Sequence, residues 1–219
     1  MGVVVTVCGS VGGIGTSTLA FALALQAGPG TVLIDGQSDG VPLDVLIGAE
    51  ASPGIRWSQV RIRTSDIAAE TIRASLPDCH GLRVLSADRD AAADPTAVGH
   101  VVEVLRTEDG VVVIDVPSRS SLRQTLVPDV DALLLPPTLP GIVAARHVVL
   151  PTTRVAVVNT GSADVQSSRI GHYLDRDVVG TMRWQRAVSV AATSALPLPA
   201  TTDVMRIAAE MLGGAVDGL

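Results

Sequence analysis

Short apolar runs alternate along this chain with longer segments in which apolar and polar positions recur at helical spacing. A short run without polar interruptions is typical of a strand that is buried on both faces of a parallel sheet. Strands are therefore predicted at residues 3–8, 31–34, 82–85, 111–114, 132–135, 155–158 and 178–182. Helices are predicted between them, at residues 18–26, 43–47, 65–76, 96–106, 163–174 and 203–212.

This alternation predicts a doubly wound α/β fold, a mainly parallel sheet with helices on both faces. Hydrophobic residues make up 47% of the chain, and no Pro-, Gly- and Ser-rich linker divides it, so one domain is expected over residues 1–219. Aromatic residues are only 2%, which leaves aliphatic side chains to build the core. The two cysteines, Cys8 and Cys79, give no basis for a disulfide framework.

Charge and hydropathy argue against several other classes of protein. The net charge of −6 argues against a broad basic face for nucleic acid. Charged, Pro and Gly residues interrupt every apolar run before it reaches the length of a membrane span, and the N-terminus leads directly into a strand. We therefore expect a cytoplasmic protein without stable membrane insertion. All 16 basic residues are arginines, and the chain contains no lysine.

Residues 9–18 read GSVGGIGTST and lie between the first strand and the first helix. Glycines let backbone N–H groups turn toward a phosphate at a helix N-terminus, so this context favours a phosphate-binding loop. The same letters fit a dehydrogenase pattern, but that chemistry needs a Tyr-x-x-x-Lys pair. The chain has only Tyr173 and no lysine. The remaining alternative is a tight turn that binds nothing.

The loop resembles the deviant Walker A loop of the MinD/ParA family, in which two lysines flank the glycines. Val11 and Thr16 stand at the two lysine positions, and Ser17 stands at the hydroxyl that holds Mg²⁺. The resemblance implies that ATP or ADP binds weakly or not at all, because the positive charge that follows the phosphates during transfer is missing. The implied nucleotide-binding residues of the loop are Gly9, Gly12, Gly13, Ile14, Gly15, Thr16, Ser17 and Thr18.

Later segments match the same family in the same order. Asp35 ends the second strand at the start of switch I, and Gln37 replaces the second aspartate of that segment. Asp115 ends the strand VVVID, as the Walker B carboxylate does. The resemblance implies that Ser17, Asp35 and Asp115 would hold Mg²⁺, with the two aspartates serving catalysis if the site is active. It also implies that Asn159 reads adenine. Each of these residues could instead cap a helix or close a turn.

Two further stretches resemble the CpaE/TadZ-like group, and within it the actinobacterial septum-site-determining proteins (Ssd). They are DVLIGAEASPGIRWSQV, which contains Arg56 and Trp57, and GLRVLSADR. That branch commonly has small residues in place of the P-loop lysines, as this chain does. Its relatives often carry a receiver-like domain ahead of the ATPase-like part, and we expect none here. Trp57 and Trp184 are expected to be packing anchors.

The resemblance implies a regulatory protein with a degenerate ATP site, acting in septum-site selection and cell division or in positioning pilus or secretion machinery. Its partners would be proteins of that machinery, a homodimer is compatible with it, and any membrane recruitment would run through partners. One alternative is a working Mg-ATP switch in which Arg119, Arg123 or Arg186 replaces the lost charge; another is a structural module with an empty site. We expect the partner-binding surface to include residues 117–126 through Arg119 and Arg123.

Overall fold

The computed structural model describes residues 1–37, 40–60, 68–87, 93–159, 165–213 and 215. Within these ranges eight strands form one sheet, and the apolar runs predict seven of them. The strands are β1 Val3–Gly9, β2 Val32–Asp35, β3 Asp78–Cys79, β4 Leu82–Leu85, β5 Val111–Asp115, β6 Val130–Leu135, β7 Thr153–Asn159 and β8 Val178–Arg183. Their spatial order is β3-β4-β2-β5-β1-β6-β7-β8, which confirms the doubly wound α/β fold.

Neighbouring strands run parallel throughout this sheet except at one edge, where β3 pairs antiparallel with β4. The turn between them is made by His80 and Gly81, whose φ angles are 55° and 80°. Two central residues with positive φ match the twist of a two-residue hairpin. The apolar pattern does not predict β3, because a two-residue strand is too short to show alternation.

The described helices are α1 Thr16–Ala27, α2 Leu43–Ile47, α3 Ala69–Ser75, α4 Pro95–Arg106, α5 Ser121–Thr125, α6 Leu139–Arg146, α7 Ser167–Leu174, α8 Arg186–Thr193 and α9 Asp203–Leu212. Helices α5, α6 and α8 are not among the helices predicted from periodicity. Helix α1 begins two residues earlier than expected. Parts of two predicted helices, residues 65–67 and 163–164, lie outside the described residues.

The core lies on both faces of the sheet, as expected for parallel strands covered by helices. Along β1, Val5 and Val7 face the layer of α1 and α9, whereas Val4 and Cys8 face the layer that contains α4. Cys8 is fully buried as a free thiol, and burial raises its pKa to about 12. It is therefore an unreactive packing residue. Among the described residues, no helix is both long and apolar enough to cross a bilayer.

Polar residues gather where several parallel strands end at the same edge of the sheet. The register places Asp35 of β2 beside Asp115 of β5, and Val7 of β1 on the other side of Asp115. Strand β1 lies between β5 and β6, so the connections that leave its two sides diverge and leave a crevice at its carboxyl end. The glycine loop that follows Gly9 lies in this crevice.

Candidate functional site

The loop after β1 has a backbone that only glycine adopts easily. Gly13 and Gly15 have φ angles of 74° and 91°, and Gly15 is the N-terminal cap of α1, which begins at Thr16. A Cβ atom at Gly9 would lie 2.5 Å from Thr16 Oγ1, so a side chain at this position would clash. A Cβ atom at Gly12, Gly13 or Gly15 would meet nothing within 4 Å. The loop therefore presents its backbone to open space at the start of a helix.

That open space consists of two adjoining cavities. The first, called here the loop cavity, has a volume of about 680 Å³ and is lined by residues 9–13, 15–18, 40–41 and 116–119 with Gln37 and Leu46. The second, called here the Trp184 cavity, has a volume of about 410 Å³ and is lined by residues 13–15, 158–159, 182–185 and 188–189 with Thr18, Ala192 and Val204. They share Gly13, Gly15 and Thr18, so one elongated ligand could occupy both. A polar groove of about 780 Å³ at the amino edge of the sheet contains none of the predicted site residues.

Asp115 lies beside the loop cavity with one carboxylate oxygen satisfied and the other not. Its side chain is 1% exposed, and Oδ1 accepts a hydrogen bond of 2.8 Å from Gln37 Nε2. Oδ2 is buried and has no hydrogen-bond partner within the described ranges. Burial raises the pKa of Asp115 to about 6; Ser17 and Gln37 oppose the rise, and the charge of Asp35 adds to it. Ser17 is close enough to lower the pKa of Asp115, but its hydroxyl does not complete a hydrogen bond to Oδ2.

A buried carboxylate oxygen without a partner needs either a proton or a cation. The Ser17 hydroxyl and Asp115 are the oxygen ligands that Mg²⁺ commonly uses, with the rest of its shell supplied by water and phosphate. No group of three or more His, Cys, Asp or Glu side chains that could hold a metal by itself is found in the described part of the chain. The residues present fit Mg²⁺ bound together with a phosphate.

Asp35, by contrast, has both oxygens engaged by the protein. Oδ1 accepts a hydrogen bond from the backbone N–H of Gln37 at 3.1 Å, and Oδ2 accepts one from the backbone N–H of Leu43 at 2.9 Å. Ser86 Oγ and the Ala87 amide add longer hydrogen bonds of 3.4 Å each to Oδ2. Burial raises the pKa of Asp35, and the hydrogen bonds from Leu43 and Gln37 oppose that rise. Asp35 therefore binds the backbone at Gln37 and at the start of α2, and its predicted role as a metal ligand stays a prediction.

Gln37 is a site residue whose contact the family pattern does not reveal. The family pattern records Gln37 only as the loss of a switch I aspartate. In the structure the side-chain amide of Gln37 donates a hydrogen bond to Asp115. The register offers a usable signal, because Asp35 pairs with Asp115 and a side chain two residues beyond β2 stays within reach. Ser10 Oγ, on the glycine loop, is a second buried polar atom that has no partner among the described residues.

The far end of the crevice combines Asn159 with an exposed indole. Asn159 ends β7 and lines the Trp184 cavity, as its predicted contact with adenine requires. Trp184 is 73% exposed, so the prediction that it is a packing anchor is wrong. The segment that carries it is held by Asp203, which pairs with Arg183 at 2.9 Å and whose amide donates to Gln185 Oε1 at 2.7 Å.

The arginines proposed as substitute cations have different environments. Arg119 is exposed and lines the loop cavity, whereas Arg186 is exposed on α8 and lines neither cavity. Arg123 is only 6% exposed, and its Nη2 pairs with Asp131 Oδ2 at 2.7 Å. The prediction that Arg123 is an exposed interface residue is therefore wrong, because the buried carboxylate of Asp131 draws it inward.

Arg56 and Trp57, which carry much of the resemblance to the Ssd branch, have structural contacts. Arg56 Nε pairs with Asp44 at 2.9 Å, and its Nη2 donates to the Ala49 carbonyl at 2.9 Å. Trp57 is buried, and its indole N–H donates to the Asp35 carbonyl at 2.7 Å. Both residues fasten residues 48–60 against the end of β2, which confirms Trp57 as a packing anchor.

Comparison with known proteins relates the fold to ATPases of the MinD/ParA kind. A ParA family ATPase from Chlorobium tepidum superposes with a TM-score of 0.75 at 11% identity, covering 94% of this chain and 96% of that one. MinD in the MinC:MinD cell division complex of Aquifex aeolicus gives a TM-score of 0.75 at 16% identity, covering 95% and 93%. MinD of Pyrococcus horikoshii, complexed with Mg-ADP, superposes with a TM-score of 0.71 at 14% identity. The superposition covers 100% of each chain. These superpositions establish a shared fold, and at such low identities they establish the fold alone.

Sequence comparison reaches a shorter part of the chain. Two uncharacterized proteins of Mycobacterium tuberculosis, from strains CDC 1551 and H37Rv, are each 36% identical over 119 residues. The match covers 54% of this chain and 34% of each relative, so it spans about a third of the length of these proteins. No protein-family model matches the chain.

Proposed function

We propose that this chain is a regulatory protein of the MinD/ParA kind that binds ATP or ADP with Mg²⁺, hydrolyses it slowly or not at all, and acts through contacts with other proteins. One observation carries the proposal. The glycine loop presents its backbone to open space next to a buried carboxylate oxygen of Asp115 that has no partner among the described residues, and the loop contains no lysine.

Nucleotide binding is supported by the shape and polarity of the crevice. The start of α1 and the loop N–H groups favour an anion in the loop cavity. The Trp184 cavity, with Asn159 and an exposed indole, suits a base that both stacks and accepts or donates hydrogen bonds. Ser17 and Asp115 would hold Mg²⁺, which when bound supplies positive charge to the phosphate oxygens.

Slow hydrolysis is expected because the loop lacks positively charged side chains and because Gln37 is neutral and already bonded to Asp115. Val11 and Thr16 stand at the two lysine positions and are uncharged. They therefore cannot stabilise the negative charge that shifts between phosphate oxygens in the transition state. Gln37 is neutral and donates to Asp115, so it is not a base for an attacking water. Losing one such transition-state group typically lowers a rate by about 10²-fold or more.

The cellular role that we propose is septum-site selection in cell division or the positioning of pilus or secretion machinery. It is supported by the resemblance of two stretches to the CpaE/TadZ-like group and its Ssd branch, and by a fold shared with MinD of the MinC:MinD cell division complex. We place the protein in the cytoplasm, recruited to membrane-associated machinery by partner proteins, and a homodimer is part of the proposal.

Arg119 favours a second candidate function, a working Mg-ATP switch. It is exposed and lines the loop cavity, where a cation could take over the work of a missing lysine. The two candidates differ in turnover alone, since both require nucleotide in the same crevice.

Calorimetric titration with ATP and ADP, each with and without Mg²⁺, together with phosphate release, tests the proposal. We expect binding that needs Mg²⁺ and is weakened in Asp115→Ala, with phosphate release near background. The fluorescence of Trp184 reports on binding in the Trp184 cavity, because the other tryptophan, Trp57, is buried. Trp184→Phe, which removes the exposed indole, is the control for this signal. Turnover that persists through purification and disappears in Asp115→Ala would identify a working switch. No binding of either nucleotide under any condition would leave only the structural module.

A further inference from the structure

We infer that Arg119 is the cation that recognises the terminal phosphate of a bound nucleoside triphosphate, from a position outside the glycine loop. The inference rests on the proposed nucleotide binding and goes further, because it names the residue that distinguishes ATP from nucleotides with fewer phosphates. Three features support it: the charges around the loop cavity, the position of Arg119 and the direction in which a nucleotide would lie.

The charge balance of the crevice favours a protein cation in addition to Mg²⁺. Asp35 and Asp115 lie at this edge of the sheet, and a nucleoside triphosphate would add further negative charge. Arg119 is the one charged side chain among the described residues that line the loop cavity. The chain contains no lysine that could serve instead.

Two other arginines near this region are held by partners in the described part of the chain. Arg123 is buried against Asp131, and Arg183, which lines the Trp184 cavity, pairs with Asp203 through two hydrogen bonds of 2.9 and 3.2 Å. Arg119 is exposed, and no hydrogen bond or ion pair of its side chain occurs within the described ranges. Its guanidinium is therefore available to an anion.

The backbone that carries Arg119 is fixed on both sides. Upstream, the Val116 amide donates to the Val7 carbonyl at 2.9 Å and ties the end of β5 to β1. Downstream, the Ser120 hydroxyl caps α5 by accepting from the Arg123 amide, and the Ser120 amide donates to the Pro117 carbonyl at 3.1 Å. A long side chain on a fixed backbone is suited to a planar, two-pronged contact with phosphate oxygens.

The two cavities give the direction of the ligand. A base in the Trp184 cavity would place the sugar and first phosphate at the shared residues Gly13, Gly15 and Thr18. Arg119 lines the loop cavity and not the Trp184 cavity, so it lies toward the end of the ligand that is farther from the base. That end carries the terminal phosphate of a triphosphate and is empty with a monophosphate.

Titration calorimetry of the full chain with Mg-ATP, Mg-ADP and AMP tests this assignment. Arg119→Gln should weaken Mg-ATP binding by about 10- to 100-fold, the effect of one charge-assisted contact, and leave Mg-ADP and AMP binding unchanged. The Mg-ATP affinity of Arg119→Lys should lie between those of the wild type and Arg119→Gln, because lysine keeps the charge but lacks the two-pronged guanidinium. Arg169→Gln, at an exposed arginine of α7 that lines neither cavity, is the matched control and should behave as the wild type.

The outcomes separate this inference from the proposed function. Equal affinity of the wild type and Arg119→Gln for Mg-ATP would overturn the inference and leave nucleotide binding standing. An equal loss of affinity for Mg-ATP and AMP would also overturn it, because Arg119 would then act on the whole site. A wild-type protein that binds no nucleotide would overturn the proposed function and the inference together.

Discussion

Gln37 Nε2 donates a hydrogen bond of 2.8 Å to Asp115 Oδ1, and this contact joins the loop after β2 to the end of β5 across one side of the loop cavity. The amide satisfies one oxygen of a carboxylate that is almost completely buried. A carboxylate at position 37 would face Asp115 with like charge, so the glutamine stabilises the site in the absence of a metal ion.

Replacing Gln37 by its charged isostere should therefore destabilise the metal-free protein. In Gln37→Glu an oxygen takes the place of Nε2, and two carboxylates then compete for one proton. We expect a loss of about 2 kcal/mol in the free energy of unfolding at pH 8 with chelator, recovered near pH 5 or by millimolar Mg²⁺. Thermal unfolding measures it. Gln37→Ala, which loses the hydrogen bond to Asp115 without adding a charge, should show a smaller loss at pH 8 and a correspondingly smaller recovery.

The raised pKa of Asp115 predicts a stability that depends on pH. Its pKa is about 6 in the folded protein against an ordinary value of 3.8, so the charged carboxylate costs stability above pH 6 and nothing below about pH 4. Asp115→Asn should thus stabilise the chelator-treated protein by up to about 3 kcal/mol at pH 8, and the gain should vanish as pH falls from 6 to 4. Urea unfolding across this range measures the gain.

Two results would test that prediction against its control. Asp109 is exposed, and its pKa is lowered by the neighbouring N-terminal ammonium, so Asp109→Asn should give no gain at pH 8. A gain in Asp115→Asn that is the same at pH 4 and pH 8 would show that burial does not raise the pKa of this carboxyl.

Restoring a lysine to the loop should strengthen nucleotide binding. Thr16 is the first residue of α1, and an ammonium in Thr16→Lys would meet phosphate at the start of the helix. We expect about a tenfold gain in Mg-ATP affinity by calorimetry. Val11→Lys should do less in a monomer, because the resemblance places that side chain across a subunit interface. If Thr16→Lys folds normally and its affinity is unchanged, the loop does not function as a P-loop.

The buried pair of Arg123 and Asp131 should be sensitive to removal of one partner alone. Asp131 also accepts from Thr6 Oγ1 at 2.7 Å and from Thr153 Oγ1 at 2.5 Å, so an amide could remain bonded there. Arg123→Met leaves a buried carboxylate without its cation and should cost about 3–5 kcal/mol in urea unfolding. Adding Asp131→Asn to that variant should restore most of the loss.

An exposed ion pair serves as the control for the variants of Arg123 and Asp131. Arg206 and Glu210 pair at 2.8 Å on the surface of α9, and Arg206→Met should cost only a few tenths of a kcal/mol. Should Arg123→Met cost no more than Arg206→Met, the buried pair would have no special role in holding α5.

The fold is largely predictable from this sequence, because strands buried on both faces leave uninterrupted apolar runs such as residues 111–114. The loop at residues 9–18 is also predictable, since positive φ angles at Gly13 and Gly15 require glycine. The burial of Arg123 is not predictable, because its partner Asp131 precedes the apolar run at residues 132–135 and is shown to belong to the strand only by the structure. The contact between Gln37 and Asp115 depends on strand register, which periodicity does not supply.

The anchoring of α5 by Arg123 determines how the segment before it can respond to a ligand. The backbone on the two sides of residue 119 is tied to β1 through Val116 and to β6 through Arg123. The side chain of Arg119 remains free to change rotamer within picoseconds to nanoseconds. Ligand binding would then be registered by the side-chain entropy of one arginine, with no displacement of the chain that carries it.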